Sequence, residues 1–289
     1  MAEQIQGIKR RMRSIGSTER ITNAMKLVSA SKLRKAKSVY EHSRSYLGRI
    51  LESIEEVFDA QDKIPKEYLV GTRSISNSCY IVITGSSGLC GSFNGNVIRK
   101  VDETVSDACN GTKVVTIGSK GRDHFENRRY EIIDKHDPPA DTMNYDAVIE
   151  MAEPLMDKYL KGEIDEIILV YTSYINSLKQ EVIEKRILPV DIESRNCKVS
   201  NNVSDAEFEP SIDEVFEYLM YKYLEMNIYS AVIESATCEH AARRQAMESA
   251  NESAENMLNV LKIKYNHARQ TQITDEIIEI VSGAEAQNG

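Results

Sequence analysis

The stretch YIVITGSSGLCGSFNGNV, residues 80–97, sets a run of mostly β-branched apolar residues directly before four spaced glycines. The run reads as a buried strand, and glycines after it let the backbone swing sharply into a helix. A strand, a glycine turn and a helix N-terminus is also how many proteins hold a nucleotide phosphate. Spacing separates the two readings. The dinucleotide fingerprint is G-x-G-x-x-G with an acidic residue about 20 positions on. Here Gly85, Gly88, Gly91 and Gly95 follow a different spacing, and no Gly-Lys-Ser/Thr follows to make a phosphate loop. A second turn, TIGSKGRDHF at 116–125, repeats the theme with Gly118 and Gly121. Two such turns are what a small sheet needs to pass from strands into helices, which leaves a nucleotide-binding enzyme as the minor alternative.

Outward from this turn the middle of the chain, about 75–205, alternates. CYIVITG, KVVTIG, YEIIDKHD and EIILVYTSYI read as strands, and KQEVIEKRILPV as one more at a sheet edge. Helical stretches follow the first two strands and fill TMNYDAVIEMAEPLMDKYLKG at 142–162. Such alternation predicts a largely parallel, Rossmann-like α/β sheet.

The flanks differ in punctuation. All six prolines lie between Pro65 and Pro210, and no glycine occurs between Gly162 and Gly283. Both flanks can therefore be long helices. Ile5, Ile8, Met12 and Ile15 recur at helical spacing, as do Leu47, Ile50, Ile54 and Val57. Between them the stripe thins to Met25 and Val28 among small residues. The last flank opens with a capping box, Ser211 and Glu214, and carries Phe216, Leu219, Tyr223 and Met226, then Met247, Ala250, Ala254, Met257 and Leu261. Helices over 3–58 and 211–282 would be about 85 and 105 Å long, too long to lie on the middle domain, so most of each must pack on the other as an antiparallel coiled coil. The expected segments are 1–58, 75–205 and 211–286. With 58 and 211 taken as level, facing residue numbers add to near 269, which places Ile50 beside Leu219 and Val28 beside Ala241. The end of the second helix then continues alone with Ile273, Ile277, Ile280 and Val281 on one side.

At 289 residues, 41% apolar and 28% charged, the composition is that of a soluble globular chain. No segment has the roughly 20 apolar residues of a membrane span, and the N-terminal stretch lacks a secretory apolar core, so a cytoplasmic setting is expected. Residues 1–50 carry 12 Lys/Arg against 3 Asp/Glu, a charge of +9, whereas the remainder carries −18. That asymmetry points to nucleic acid, anionic lipid or an acidic protein partner. Five scattered cysteines without a CxxC pair imply a reducing compartment, and Cys238-Glu239-His240 lacks the further ligands of a zinc site. His42, His124, His136, His240 and His267 are dispersed, with no nucleophile elbow or HExxH. No catalytic, cofactor or metal site is expected.

Two terminal stretches are more specific. ITNAMKLVSASKLRKA (21–36) and YNHARQTQITDEIIEIVSGAEA (265–286) closely resemble the two ends of the gamma subunits of F-type ATP synthases; GLCGSFN, IGSKG and CEHAARRQAM fit the same family in order. The resemblance implies a non-catalytic rotor shaft, an antiparallel coiled coil inside a ring of alpha and beta subunits. The α/β domain would sit at its base with the epsilon subunit against the ring of c subunits, at the cytoplasmic face of a bacterial membrane. No nucleic acid is implied, and membrane contact only through the c-ring. By block matching, Met25 and Lys26 fall where such shafts touch a beta-subunit lever loop. Arg243, Arg269, Gln270, Thr274, Glu276 and Glu279 fall at the beta catch and bearing, and Phe208 and Glu209 at the c-ring foot. The chain departs from the family pattern in TGSSGLCG, with serines in place of Asp-Arg before Gly88, and at His240 and Ser282. A basic coiled coil binding nucleic acid and a Rossmann-like enzyme with helical arms are the alternatives from other classes.

Overall fold

The computed structural model describes residues 2–60, 68, 75–105, 111–136, 143–190, 209 and 211–288. Helix α1 spans Ala2–Ala60 and the last helix, α5, spans Ile212–Asn288. The Ser211 hydroxyl accepts from the Glu214 amide at 3.3 Å, so the expected cap starts α5. Between them run β1 (Ser78–Ile83), α2 (Phe93–Val105), β2 (Thr112–Ile117), α3 (Ser119–Asn127), β3 (Glu131–His136), α4 (Tyr145–Leu160), β4 (Glu166–Tyr174) and β5 (Gln180–Leu188). The strand order is β3-β2-β1-β4-β5, with β1 to β4 parallel and β5 antiparallel at the edge. This is the fold class that the alternation implied. Pro154 lies inside α4 without ending it.

The chain divides into two compact units, Met1–Ala30 with Arg243–Gly289, and Ser31–Ala242. In the second, one sheet face is covered by α2 and α3 through Val97, Val101, Val105 and Phe125. The other is covered by α4 together with Ile50, Ile54 and Val57 of α1 and Phe216 to Ala236 of α5. Helix α5 is the surprise. From Tyr223 to Ala241 nearly every residue is buried, where an amphipathic pattern with one solvated face was expected. It lies in a core shared by the sheet, α4 and α1, so it has no wet side.

In both units α1 and α5 pair antiparallel. Thr22 meets Asn251 at 3.4 Å, the Lys9 ammonium lies 5.5 Å from the Tyr265 ring centroid, and Tyr40 hydrogen-bonds Glu234. The residue numbers in each pair add to 273 or 274 rather than 269. The difference is an axial offset of about 7 Å. Continued to the base, this register sets Ala60 level with Glu214, which leaves the polar cap residues outside the apolar contact, where Asp213 and Glu214 stay exposed. Nor is Val28 in the seam, since it is 57% exposed; between Ile5 and Ile50 the buried positions of α1 are Thr22, Ser29, Leu33 and Ser43. Thr22 and Ser43 can be there because each hydroxyl donates to a carbonyl of its own helix at 3.0 Å.

The glycines separate into two kinds. A Cβ on Gly48, in the middle of α1, would meet nothing within 4 Å, whereas one on Gly118, at φ +94°, would fall 2.1 Å from the Thr84 carbonyl oxygen. Gly48→Ala is therefore expected to raise stability by about 0.5–1 kcal/mol. Gly118→Ala should lower it by about 2 kcal/mol or more through forced φ and collision. Denaturant unfolding of the two variants, followed by circular dichroism, checks the sign of each change.

Candidate functional site

The opening glycine turn lies at the C-terminal end of β1, beside β4, where the strand order reverses. In open α/β sheets that crevice is the usual ligand site. Here α5 fills it. A Cβ on Gly85 would fall 2.8–3.0 Å from the Glu239 carboxylate, so only glycine lets that side chain lie against the turn. One strand over, Glu234 Oε1 accepts from the Ser173 hydroxyl at 2.7 Å and the Tyr174 amide at 2.8 Å. Cys238 packs with Cys90 and Phe93, with Tyr174 and Ala242 against them. Two carboxylates of the chain thus occupy the place a phosphate would take.

The second glycine turn is fastened to the first. Thr84 Oγ1 accepts from the Gly121 amide at 2.9 Å and lies 3.2 Å from the Ile117 carbonyl to which it donates. Ser119 Oγ donates to the Ser86 carbonyl at 3.2 Å, and the Lys120 amide to the Gly85 carbonyl at 3.3 Å. Ser86, one of the two serines that depart from the family pattern, therefore has a role in joining the turns. Among the described residues no group of His, Cys, Asp and Glu is arranged to hold a metal ion.

The residues singled out from sequence fall at separate stations. Met25, Lys26, Arg243, Arg269, Gln270, Thr274, Glu276 and Glu279 all belong to the first compact unit. By the observed register Met25 and Lys26 lie level with residues 248 and 249, within about 10 Å along the axis of Arg243. Arg269 to Glu279 begin about 30 Å further along, so the eight do not form one site. Met25 and Lys26 are half-buried and Arg243 is buried, whereas Arg269, Gln270, Thr274, Glu276 and Glu279 are exposed. Thr274 donates its hydroxyl to the Gln270 carbonyl at 2.9 Å, as Thr271 does to His267 at 3.0 Å and Ser253 to Ser249 at 2.9 Å. Glu276 accepts from Gln272 at 2.7 Å. Glu209 is exposed, and Phe208 lies outside the described residues. Ile273, Ile277, Ile280 and Val281 are 46–72% exposed.

Long helices flanking a five-stranded sheet with these end sequences match known proteins over the full length. The family model described as ATP synthase matches residues 4–287. The sodium-ion-specific ATP synthase gamma chain of Acetobacterium woodii is 36% identical over 304 aligned positions, covering all of both chains. The chain belongs to the ATP synthase gamma-chain family. The gamma chain of Clostridium novyi is 37% identical, with 97% of each chain covered. In fold, the chain is similar to a chain of the Euglena gracilis mitochondrial ATP synthase, with a TM-score of 0.68, 18% identity and coverage of 99% of this chain and 95% of that one. A gamma chain is the central-stalk rotor subunit, which couples ion flow to ATP synthesis within a membrane-associated complex. No described helix is long and apolar enough to cross a membrane.

Glu225, Glu234 and Glu239 were missed as interior residues because acidic side chains on a long flank read as solvated. The usable signal was the run IYSAVIESATCEHAA at 228–242, which has no polar face for water. Their burial has a measurable consequence. Burial, and then hydrogen bonding to Glu225, pushes the Tyr145 hydroxyl up; burial, and then the charge of Glu234, does the same for Tyr171. Burial also pushes Tyr80 and the Cys79 thiol up to about 12. The folded chain holds these protons where the unfolded chain, with ordinary values of about 10 for Tyr and 8.5 for Cys, has released them. Stability from these groups is thus complete below those unfolded values and is lost as pH rises toward about 12. A denaturation series should show midpoints falling through that window, with tyrosinate absorbance lagging until unfolding. Tyrosines that titrate fully near pH 10 in the folded chain would contradict this burial.

Proposed function

We propose that this chain acts as a non-catalytic rotating shaft, with helices 1–58 and 211–286 turning inside a hexamer of alpha and beta subunits. The 75–205 domain stands with the epsilon subunit on the c-ring at the cytoplasmic face of a bacterial membrane. The shaft needs no cofactor or metal of its own. The observation that carries the reading is the exposed stripe of Ile273, Ile277, Ile280 and Val281 at the end of α5. Contiguous apolar surface of this kind calls for a covering partner, and a sleeve of other subunits supplies one. The crevice filled by α5 supports catalysis residing on other subunits.

The two stations carry different roles in this reading. Met25 and Lys26, with exposed Ile21, Leu27 and Val28 beside them, meet a beta lever loop. Arg243 belongs to the same level, whereas Arg269, Gln270, Thr274, Glu276 and Glu279 meet the catch and bearing. Phe208 and Glu209 are the foot on the c-ring. The +9 charge of residues 1–50 suits acidic lever loops, because long-range attraction survives sliding while tight ion pairs would have to break at each step. Half-buried Met25 presents a thioether, a side chain that adapts to a changing surface.

Met25→Lys in the assembled synthase tests this. A new, partly desolvated ion pair worth about 1–3 kcal/mol would have to break at every step. The expected outcome is a slowing of roughly 5 to 150-fold with a raised activation energy and intact assembly. Wild-type synthesis rates and an unaltered temperature dependence would remove Met25 from the contact.

A further inference from the structure

Helix α5 has a shallow surface where it is most enclosed: from Ser230 to Ala242 nearly half of its residues are Ala or Ser. A packed helix resists turning about its own axis through ridges set into grooves, and small side chains raise low ridges. Two carboxylates stand out from that surface, Glu234 and Glu239, and both are buried. At 3.6 residues per turn they stand about 140° apart around the axis and about 7.5 Å apart along it. Each is seated at the C-terminal end of a different strand. Glu234 Oε1 accepts from the Ser173 hydroxyl and the Tyr174 amide of β4, and Tyr40 of α1 hydrogen-bonds the same carboxylate. Glu239 lies in the slot that Gly85 leaves after β1. That slot is fixed in place, because the Gly85 amide donates to Asn94 Oδ1 at 2.7 Å and its carbonyl accepts from the Lys120 amide at 3.3 Å. Ala242 is the last residue of α5 in the second compact unit, so Glu239 stands in its final turn there.

We propose that Glu234 and Glu239 are positioning residues for torque, two teeth that stop α5 from twisting against the sheet of its own unit. The inference rests on the shaft reading above and names the place where load passes between sheet and helix. Glu234 acts through hydrogen bonds to the end of β4, one of them to backbone that the sheet holds rigid. Glu239 acts through shape. A single added Cβ on Gly85 would stand 2.8 Å from its carboxyl carbon, so the side chain fills the slot with no room for a further methyl. Because the two teeth stand on different sides of the helix, no one direction of twist relieves both.

The test uses the assembled synthase in vesicles. ATP hydrolysis and ATP-driven ion uptake are measured together, with the angular fluctuation of a rod fixed to the 75–205 domain while the hexamer is held and stalled. Glu239→Ala is expected to leave assembly and hydrolysis intact, while slips become about tenfold more frequent as their barrier falls. Uptake per ATP then drops severalfold and the fluctuation widens. Glu239→Gln keeps the shape and should match the wild type in both readouts. Gly85→Ala should reproduce the loss from the opposite side of the contact. Its new methyl meets only the flexible end of Glu239, and Gly85 is not among the glycines at positive φ, so the turn accepts alanine. Adding Glu239→Asp, one methylene shorter, to Gly85→Ala should restore much of the coupling, a rescue that general destabilisation does not give. Unchanged uptake per ATP and fluctuation in Glu239→Ala and Gly85→Ala overturn the proposal. So does a Gln variant as impaired as the Ala variant, or a double variant no better than Gly85→Ala. A wild-type synthase in which the rod never turns removes the shaft reading itself, an outcome distinct from all of these.

Discussion

Helix α5 between Tyr223 and Ala241 is enclosed on all sides, and the fold is organised around making that enclosure tolerable. A helix buried against a sheet, a second helix and a third must be narrow, and the run is accordingly rich in Ala, Ser and Thr. Most of its buried polar side chains are also paired, although the Ser235 hydroxyl has no hydrogen-bond partner. Glu225 takes the Lys222 ammonium at 2.7 Å and the Tyr145 hydroxyl, Glu234 takes four donors, and Thr237 returns its hydroxyl to Ile233 at 2.9 Å. Asn227 bonds the carbonyl of Tyr223 at 2.7 Å and receives Lys185. An apolar interior could pack as well, but it would accept α5 one turn up or down, about 5.4 Å, with little penalty. Buried polar pairs make such slippage costly, which is their best attested use. In a rotor subunit, fixed axial position is the property at stake.

The two compact units are held by different means. In the second, Ile50, Ile54 and Val57 join an extensive apolar core with Phe216, Met220 and Tyr223. Among the described residues of the first, the buried positions are few: Ile5, Thr22 and Ser29 on α1, and Arg243, Met247 and Ala254 on α5. Small residues bring helices close but bury little area, at roughly 25 cal/mol per Å². Helix propensity and the lack of proline carry more of the load in that unit.

Legibility from sequence followed the same division. Strands read from β-branched runs, and the edge position of β5 from its charged alternation, were both visible because a sheet imposes a period of two. The cap at Ser211 was visible because capping is local. The register was not, because it depends on where the polar cap stops and the apolar contact starts, and no single residue marks that point. Val28 was placed in the seam on spacing alone; in the fold the smaller Ser29 and Thr22 take it, since close approach outweighs apolar content there. The glycine turn was legible as a turn. That Gly85 makes room for Glu239, 154 positions away in the chain, was not.

The exposed hydroxyls on the helices bear on friction. Thr18, Ser253, Thr271 and Thr274 each donate to a carbonyl four residues back on their own helix. A hydroxyl engaged in this way offers its neighbour a methyl or methylene and an acceptor oxygen, not a free donor. Two surfaces moving past one another then have fewer bonds to rupture and fewer ordered waters to displace. Resistance to motion becomes a matter of steric roughness, which varies weakly with salt. A shaft dressed with lysine or glutamine at these places would instead drag like adhesive tape, gripping and releasing at each position.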